Sequence, residues 1–129
     1  MVMLDTNYVL RFILRDIEEQ AQTVATAIKQ GAVYVRDEVL AEAVHVLENV
    51  YKQDRPTITK ALTTFVSLRN ITLDSKAVTI KGLRNYADTK LDYVDCLLAA
   101  FHSEKGETVL TFDKKLNNFM KRTDEESTT

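Results

Sequence analysis

The chain has 129 residues and a formal net charge of −2, with 45% hydrophobic and 28% charged residues. With only three glycines and one proline it is not a disordered or fibrous chain, and its length predicts one domain with its own core. The single cysteine, Cys96, excludes a disulfide framework and a cysteine-rich zinc site. The charge balance alone does not indicate a nucleic-acid-binding protein.

The first apolar run meets a charge at Asp5, and no later run reaches the roughly 18 apolar residues of a membrane span. We therefore expect neither a signal peptide nor a membrane segment, and the scarcity of cysteine favours a cytoplasmic location.

Short apolar runs alternate with longer helical patterns along the chain. Strands are predicted at residues 2–4, 33–35, 71–73 and 108–112. Helices are predicted at about 7–14, 17–30, 38–52, 57–69, 75–89, 92–104 and 114–120, with Gly31 and Gly106 as C-caps and Pro56 in a first turn. Strands separated by long helices require crossover connections, which indicate an α/β fold with a parallel sheet and helices on both faces. The predicted domain spans residues 1–122, and the polar tail at 123–129 is expected to be frayed.

An aspartate follows each predicted strand, and these four residues are Asp5, Asp37, Asp74 and Asp113. Ligands of open parallel sheets bind outside the carboxyl ends of the strands, so each is a candidate site residue. Capping is the better interpretation of Asp37 and Asp74, because aspartate is a favoured N-cap and each precedes a helical pattern. Asp5 and Asp113 fit capping less well, because the two residues after Asp5 can cap the first helix and Asp113 closes the strongest strand pattern.

Two helical segments place further acids beside apolar stripes. The expected buried stripes are Val39, Leu40, Ala43, Val46, Leu47 and Val50 in one segment and Val94, Leu97, Leu98 and Phe101 in the other. Glu42 is expected at the edge of the first stripe, where it either reaches a cleft or is simply solvated. Asp92 and Asp95 share one flank of the first turn of the second segment, where the helix dipole tolerates negative charge. Asp92 is a natural N-cap, whereas Asp95 has no such structural reason.

Several of these acids together favour a bound cation. Two carboxylates about 4 Å apart repel by roughly 4 kcal/mol at a surface-like dielectric, so a cluster of Asp5, Glu42, Asp95 and Asp113 requires a cation or protons. Hard oxygen donors without a histidine and cysteine set favour Mg²⁺ or Mn²⁺ over zinc. Such ions activate a water and stabilise the leaving oxygen of a phosphodiester, which indicates metal-dependent nuclease chemistry.

Four segments occur in the order and spacing of PIN domains: LDTN at 4–7, the helix that carries Glu42, DYVDCLLAA at 92–100 and LTFDKKL at 110–116. The chain therefore resembles PIN domains, especially the VapC-type toxins of toxin-antitoxin pairs, over nearly its whole length. The resemblance implies a three-layer fold with a parallel sheet of four to five short strands and helices on both faces. It also implies that the strands ending at Asp5 and Asp113 lie side by side.

The same resemblance implies a site and partners. The acidic quartet of Asp5, Glu42, Asp95 and Asp113 would bind Mg²⁺ or Mn²⁺ for endoribonucleolytic cleavage of RNA, with Asp92 as an additional acid. The supporting polar residues would be Thr6, Asn7 and Thr111, which orient a carboxylate or a metal-bound water. Proteins of this kind pair as homodimers, and an antitoxin partner blocks the acidic pocket of the toxin.

Basic residues near the acids are weaker candidates for contacts with RNA phosphates. Lys114 and Lys115 follow Asp113, and Arg11 and Arg15 lie in the first predicted helix. The two histidines, His45 and His102, are expected at the surface rather than as catalytic bases.

Three other functions stay open at this point. A phosphoacceptor receiver domain is also an α/β protein with bound Mg²⁺, but it needs an adjacent acidic pair near the first strand, and it leaves Glu42 and Asp95 unexplained. A non-catalytic binding subunit would use the acids as caps and solubility charges. A DNA-directed nuclease would use the same acidic chemistry.

Overall fold

A computed structural model describes residues 1–127 of the chain. These residues form three strands and seven helices: β1 Val2–Met3, α1 Thr6–Leu14, α2 Glu18–Gln30, β2 Val33–Tyr34, α3 Asp37–Asn49, α4 Arg55–Val66, β3 Ile71–Thr72, α5 Lys76–Asp88, α6 Tyr93–Lys105 and α7 Lys114–Ser127. The chain divides into two compact units, one of residues Met1–Lys76 and one that begins at Ala77. No helix within residues 1–127 is long and apolar enough to cross a membrane.

The first unit contains a parallel sheet with the strand order β1-β2-β3. The paired residues are Val2 with Val33, Met3 with Tyr34, Val33 with Ile71, and Tyr34 with Thr72. Helices α1 and α2 connect β1 to β2, and α3 and α4 connect β2 to β3, as parallel pairing requires. The carboxyl ends of all three strands therefore lie at one edge of the sheet.

The predicted fourth strand at 108–112 is wrong, because these residues carry no regular secondary structure. Leu110 is 92% exposed and Phe112 is fully exposed, so the run does not bury its apolar side chains. All three described strands belong to the first unit, and β-forming composition does not by itself supply a partner strand. The sheet of four to five strands, with strands ending at Asp5 and Asp113 side by side, is therefore not found among residues 1–127.

The buried face of α3 is rotated from the predicted stripe. Its buried residues are Leu40, Ala43, Val44 and Leu47. Val50, which was expected in the stripe, is 67% exposed because the helix ends at Asn49. Counting about 100° per residue, Glu42 lies about 150° from the centre of this buried face and is exposed, rather than at its edge.

In the second unit, α5 and α6 approach closely at Gly82. A Cβ atom at Gly82 would lie 3.3 Å from Cδ1 and 3.4 Å from Cα of Leu97, so only glycine fits without movement of its neighbours. One turn further along α5, the buried Asn85 donates a hydrogen bond from Nδ2 to the carbonyl oxygen of Cys96 at 3.1 Å. These two contacts fix the first two turns of α6, which carry Asp95.

The buried face of α6 also differs from the predicted stripe. Its buried residues are Tyr93, Cys96, Leu97, Ala99 and Ala100. Two of the predicted residues, Val94 and Leu98, are 54% and 37% exposed. The small side chains on the observed face permit the close approach to α5, whereas the prediction followed the larger apolar side chains.

Helix α7 is longer than predicted and includes residues 123–127, which were expected to belong to a frayed tail. The side chain of His102, at the end of α6, contacts Asp124 through Nε2 at 2.8 Å and the carbonyl oxygen of Glu107 through Nδ1 at 2.8 Å. Hydrogen bonding to Asp124 raises the pKa of His102, which favours the charged imidazolium and an ion pair. This ion pair holds the last turns of α7; residues 128–129 of the predicted tail lie outside the described residues.

The four aspartates that follow the predicted strands differ from expectation in which of them cap helices. Asp5 caps α1 by accepting a hydrogen bond at Oδ1 from the Tyr8 backbone N–H at 2.9 Å. Asp113 accepts two such bonds at Oδ1 at the start of α7, from the backbone N–H groups of the second and third residues of the helix, at 2.8 and 3.2 Å. Asp37 is the first residue of α3 and not its cap, because this helix starts one residue earlier than predicted. Asp74 instead accepts a hydrogen bond from the Tyr34 hydroxyl.

The cap at Asp5 predicts different effects of two substitutions. Asp5→Ala should lower the free energy of unfolding by about 1 kcal/mol, because an N–H in the first turn of α1 loses its acceptor. Asp5→Asn should stay within about 0.5 kcal/mol of the wild type, because asparagine caps as well as aspartate. Urea unfolding of the two variants measures this difference. Equal losses in both variants would contradict the capping role.

Candidate active site

In the first unit, Asp5 lines a cavity of about 440 Å³. The cavity is lined by Asp5, Asn7, Tyr8, Arg11 and Gln20. Asp5 and Asn7 are exposed, and Thr6, the first residue of α1, is half-buried. The cap uses only Oδ1 of Asp5, so a capped Asp5 keeps a second carboxylate oxygen with which to bind a ligand.

The two arginines of the first unit that were candidates for RNA contacts already have carboxylate partners. Arg11 donates from Nη1 to Asp16 at 2.9 Å and from Nη2 to the Tyr51 hydroxyl at 3.0 Å, and its side chain is only 16% exposed. Arg15 pairs with Glu18 at 3.2 Å on the surface. Both guanidinium groups are therefore engaged in contacts within their own unit.

Sequence reasoning missed a polar cluster that follows β2 and β3. The Tyr34 hydroxyl donates to Asp74, and this hydrogen bond is the main cause that raises the pKa of Tyr34. Burial, followed by the charge of Asp74, raises the pKa of Asp37. The parallel register brings these residues together, because it pairs Tyr34 with Thr72 and so places the ends of β2 and β3 next to each other, and no local sequence pattern specifies that register.

In the second unit, two of the predicted acids act electrostatically on a third, Asp95. Burial is the main cause that raises the pKa of Asp95 above its ordinary value, and the charges of Asp113 and Asp92 raise it further. Asp95 is half-buried in the first turn of α6, and Asp92 is the exposed N-cap of that helix. Asp95 is thus under the influence of both other acids, and we call Asp92, Asp95 and Asp113 the acidic cluster.

The segment before α7 holds Asp113 in place. The Thr111 hydroxyl accepts a hydrogen bond from the Asp113 backbone N–H at 3.1 Å, and the Thr111 carbonyl accepts one from Nδ2 of Asn117 at 2.9 Å. Together with the two cap bonds, these contacts restrict the carboxylate of Asp113. Thr111 thus contacts the backbone of Asp113 rather than its carboxylate, and its role beside a metal stays a prediction.

The donor chemistry of the acidic cluster fits a hard divalent cation. Its groups are all carboxylates, one of them partly desolvated, and a cation relieves their mutual repulsion. Within residues 1–127, however, no three His, Cys, Asp or Glu side chains are arranged to hold one metal ion. The cluster is accordingly a site of concentrated negative charge rather than a closed coordination shell. Glu42, in the first unit, is an exposed residue of α3.

The raised pKa of Asp95 predicts a pH-dependent gain in stability for Asp95→Asn. Between the ordinary value of 3.8 and the raised value, the folded protein binds more protons than the unfolded chain, so wild-type stability falls as pH rises through that range. Asparagine removes this penalty. In EDTA, we expect the variant to be more stable than the wild type at pH 7, with a smaller difference near pH 4.

Urea unfolding between pH 4 and pH 7.5 measures this gain, with the exposed Glu104→Gln of the same helix as the control. A variant that is less stable than the wild type at pH 7 would show that the charge of Asp95 is stabilising. In that case the account of the acidic cluster would be wrong.

Comparison with known proteins places the chain in a family. A model of the PIN domain matches residues 2–122, which is nearly the whole chain. No curated protein and no solved structure gave a significant match. PIN domains are generally nucleases that use divalent metal ions and act on nucleic acid. The chain belongs to the PIN domain family.

Proposed function

We propose that this protein is an endoribonuclease that depends on Mg²⁺ or Mn²⁺ and serves as the toxin of a VapBC-type toxin-antitoxin pair. The observation that carries the proposal is the acidic cluster of Asp92, Asp95 and Asp113 in a chain of the PIN family. Mutual repulsion at a partly buried carboxylate has no structural benefit, and a divalent cation removes it. The receiver-domain alternative does not account for this cluster.

In this proposal, Asp95 and Asp113 of the second unit hold the metal, and Asp92 adds negative charge beside them. Asp5 and Glu42 are further metal ligands that the resemblance to PIN domains implies. A bound ion supplies an activated water and neutralises charge on the leaving oxygen of the phosphodiester. The capping bonds restrict the orientation of the Asp5 and Asp113 carboxylates through Oδ1 of each. The other oxygen, Oδ2, is then held in a defined position for a ligand. The partial burial of Asp95 strengthens its attraction to a cation.

The partners proposed from the resemblance are RNA, an antitoxin and a second copy of the chain, in the cytoplasm. Leu110 is 92% exposed and Phe112 fully so, and they stand three residues and one residue before Asp113 in sequence. Exposed large apolar side chains favour a protein partner at this segment. An antitoxin that covers it would reach the acidic cluster and block it.

A second candidate function is a non-catalytic binding subunit. It is favoured by the capping roles of Asp5 and Asp113, which give both acids a structural purpose. The lack of a three-donor metal group among residues 1–127 also agrees with it. This candidate predicts that divalent cations neither stabilise the protein nor support cleavage.

Cleavage of labelled single-stranded RNA in Mg²⁺, in Mn²⁺ and in EDTA tests the proposal. We expect cleavage with either metal and none in EDTA. Asp95→Asn and Asp113→Asn should each reduce the rate by at least about 100-fold, because each removes a charged donor from the metal. Glu104→Gln, an exposed substitution in the same helix as Asp95, should retain the wild-type rate.

Cleavage that persists in EDTA, or that survives Asp95→Asn, would contradict the proposed site. Equal cleavage of single-stranded DNA of the same sequence would instead support the DNA-directed alternative. If neither nucleic acid is cleaved and Mg²⁺ leaves the Tm unchanged, the non-catalytic subunit is the better account.

A further inference from the structure

The second unit contains a groove with three basic side chains and an aromatic ring. Its volume is about 320 Å³, and its charged lining residues are Lys90, Lys115, Arg122 and Asp88. Three positive charges against one negative charge give the groove a net charge of +2, within a chain whose net charge is −2. The positive charge of the groove therefore attracts anionic ligands.

One wall of this groove is a single face of α7. Lys115, Asn118, Phe119 and Arg122 line it, and they stand at positions i, i+3, i+4 and i+7 of the helix. The helix is anchored on another side by the buried Leu116 and Met120, so this face is not needed for the core. Side chains on one face of an anchored helix form a fixed row of contacts.

The aromatic ring of Phe119 stands beside these charges. The Arg122 guanidinium lies over the Phe119 ring, 5.8 Å from its centroid. Phe119 is half-buried and lines the groove. A positively charged groove lined by an aromatic ring is the arrangement by which proteins hold single-stranded nucleic acid, since bases stack on the ring while cations contact the backbone. An acidic peptide would use the charges but not the ring, so the lining favours a nucleic acid.

Both walls adjoin the acidic cluster along the chain. The second wall consists of residues 88–91, which lead directly into Asp92. The α7 wall begins with Lys115, two residues after Asp113. A strand held in the groove would therefore contact residues that are close in sequence to the acids proposed for catalysis.

We propose that this groove binds single-stranded RNA next to the site of cleavage. Lys90, Lys115 and Arg122 contact phosphates, and Phe119 stacks on a base. The assignment of RNA as the ligand rests on the proposed function, whereas the groove itself is a feature of the second unit alone. Among these residues, the sequence predicted an RNA contact for Lys115 alone, and the groove adds Lys90, Phe119 and Arg122 to it.

Fluorescence anisotropy of a labelled single-stranded RNA tests this groove. The full chain carries Asp95→Asn, and the buffer contains EDTA, so that binding is measured without cleavage. The double variant Lys115→Ala/Arg122→Ala should weaken binding at least about tenfold and reduce the slope of log K against log salt by roughly 1.4, or about 0.7 per phosphate contact. Phe119→Leu should weaken binding by about 5- to 150-fold with little change of slope.

The matched control is Lys105→Ala/Lys121→Ala, which removes two exposed positive charges of the second unit that do not line the groove. This control should retain most of the affinity and the salt slope. Equal losses in both double variants would mean general charge attraction and would overturn the proposal, as would unchanged binding in the groove variants. Competition by polyglutamate as strong as that by unlabelled RNA would overturn it too, in favour of an acidic protein partner.

The same variants on the wild-type background separate this proposal from the proposed function. If Asp95-dependent cleavage occurs but the groove variants bind RNA normally, the groove proposal fails and the nuclease stands. If the groove variants lose binding as expected but the wild type cleaves no RNA, the groove stands and the nuclease fails.

Discussion

Repulsion among the carboxylates of Asp92, Asp95 and Asp113 is the constraint on which the proposed chemistry depends. Partial burial and two neighbouring charges raise the pKa of Asp95, so its ionised form costs free energy in the folded protein. A fold tolerates such a cost at a site where a ligand relieves it. In the PIN family that ligand is generally a divalent metal ion.

The rest of the second unit serves to hold these acids in position. The close approach at Gly82 and the hydrogen bond from Asn85 fix the start of α6, while Thr111 and the cap bonds fix Asp113. The His102–Asp124 ion pair ties the other ends of α6 and α7 together. Rigid placement matters because a carboxylate free to rotate would move away from its charged neighbours.

The sequence predicted the helices and the first three strands well, since long periodic patterns and clear breaks mark them. It failed at 108–112, because strand formation depends on a partner that local composition cannot specify. It also misplaced the buried faces of α3 and α6, where close packing favours small residues such as Ala99 over the larger Leu98. The caps were exchanged because helix starts shifted by a single residue, as at Asp37.

For the site, too, the sequence predicted the features that depend on local spacing and missed those that depend on packing between elements. The clustering of Asp92 with Asp95 follows from helical spacing and was expected. The arrival of Asp113 beside them depends on how α7 packs against α6, which no local pattern encodes. The Tyr34–Asp74 contact and the groove at α7 depend likewise on packing, so sequence reasoning found single members such as Lys115 but not the surface they form.

The most direct test of a metal site at the acidic cluster is anomalous X-ray scattering from a crystal of the protein soaked in Mn²⁺. We expect an anomalous peak beside the carboxylate oxygens of Asp95 and Asp113, at the roughly 2.1 Å typical of small hard cations. No peak at these acids under saturating Mn²⁺, or a peak only elsewhere on the protein, would contradict the proposed metal site.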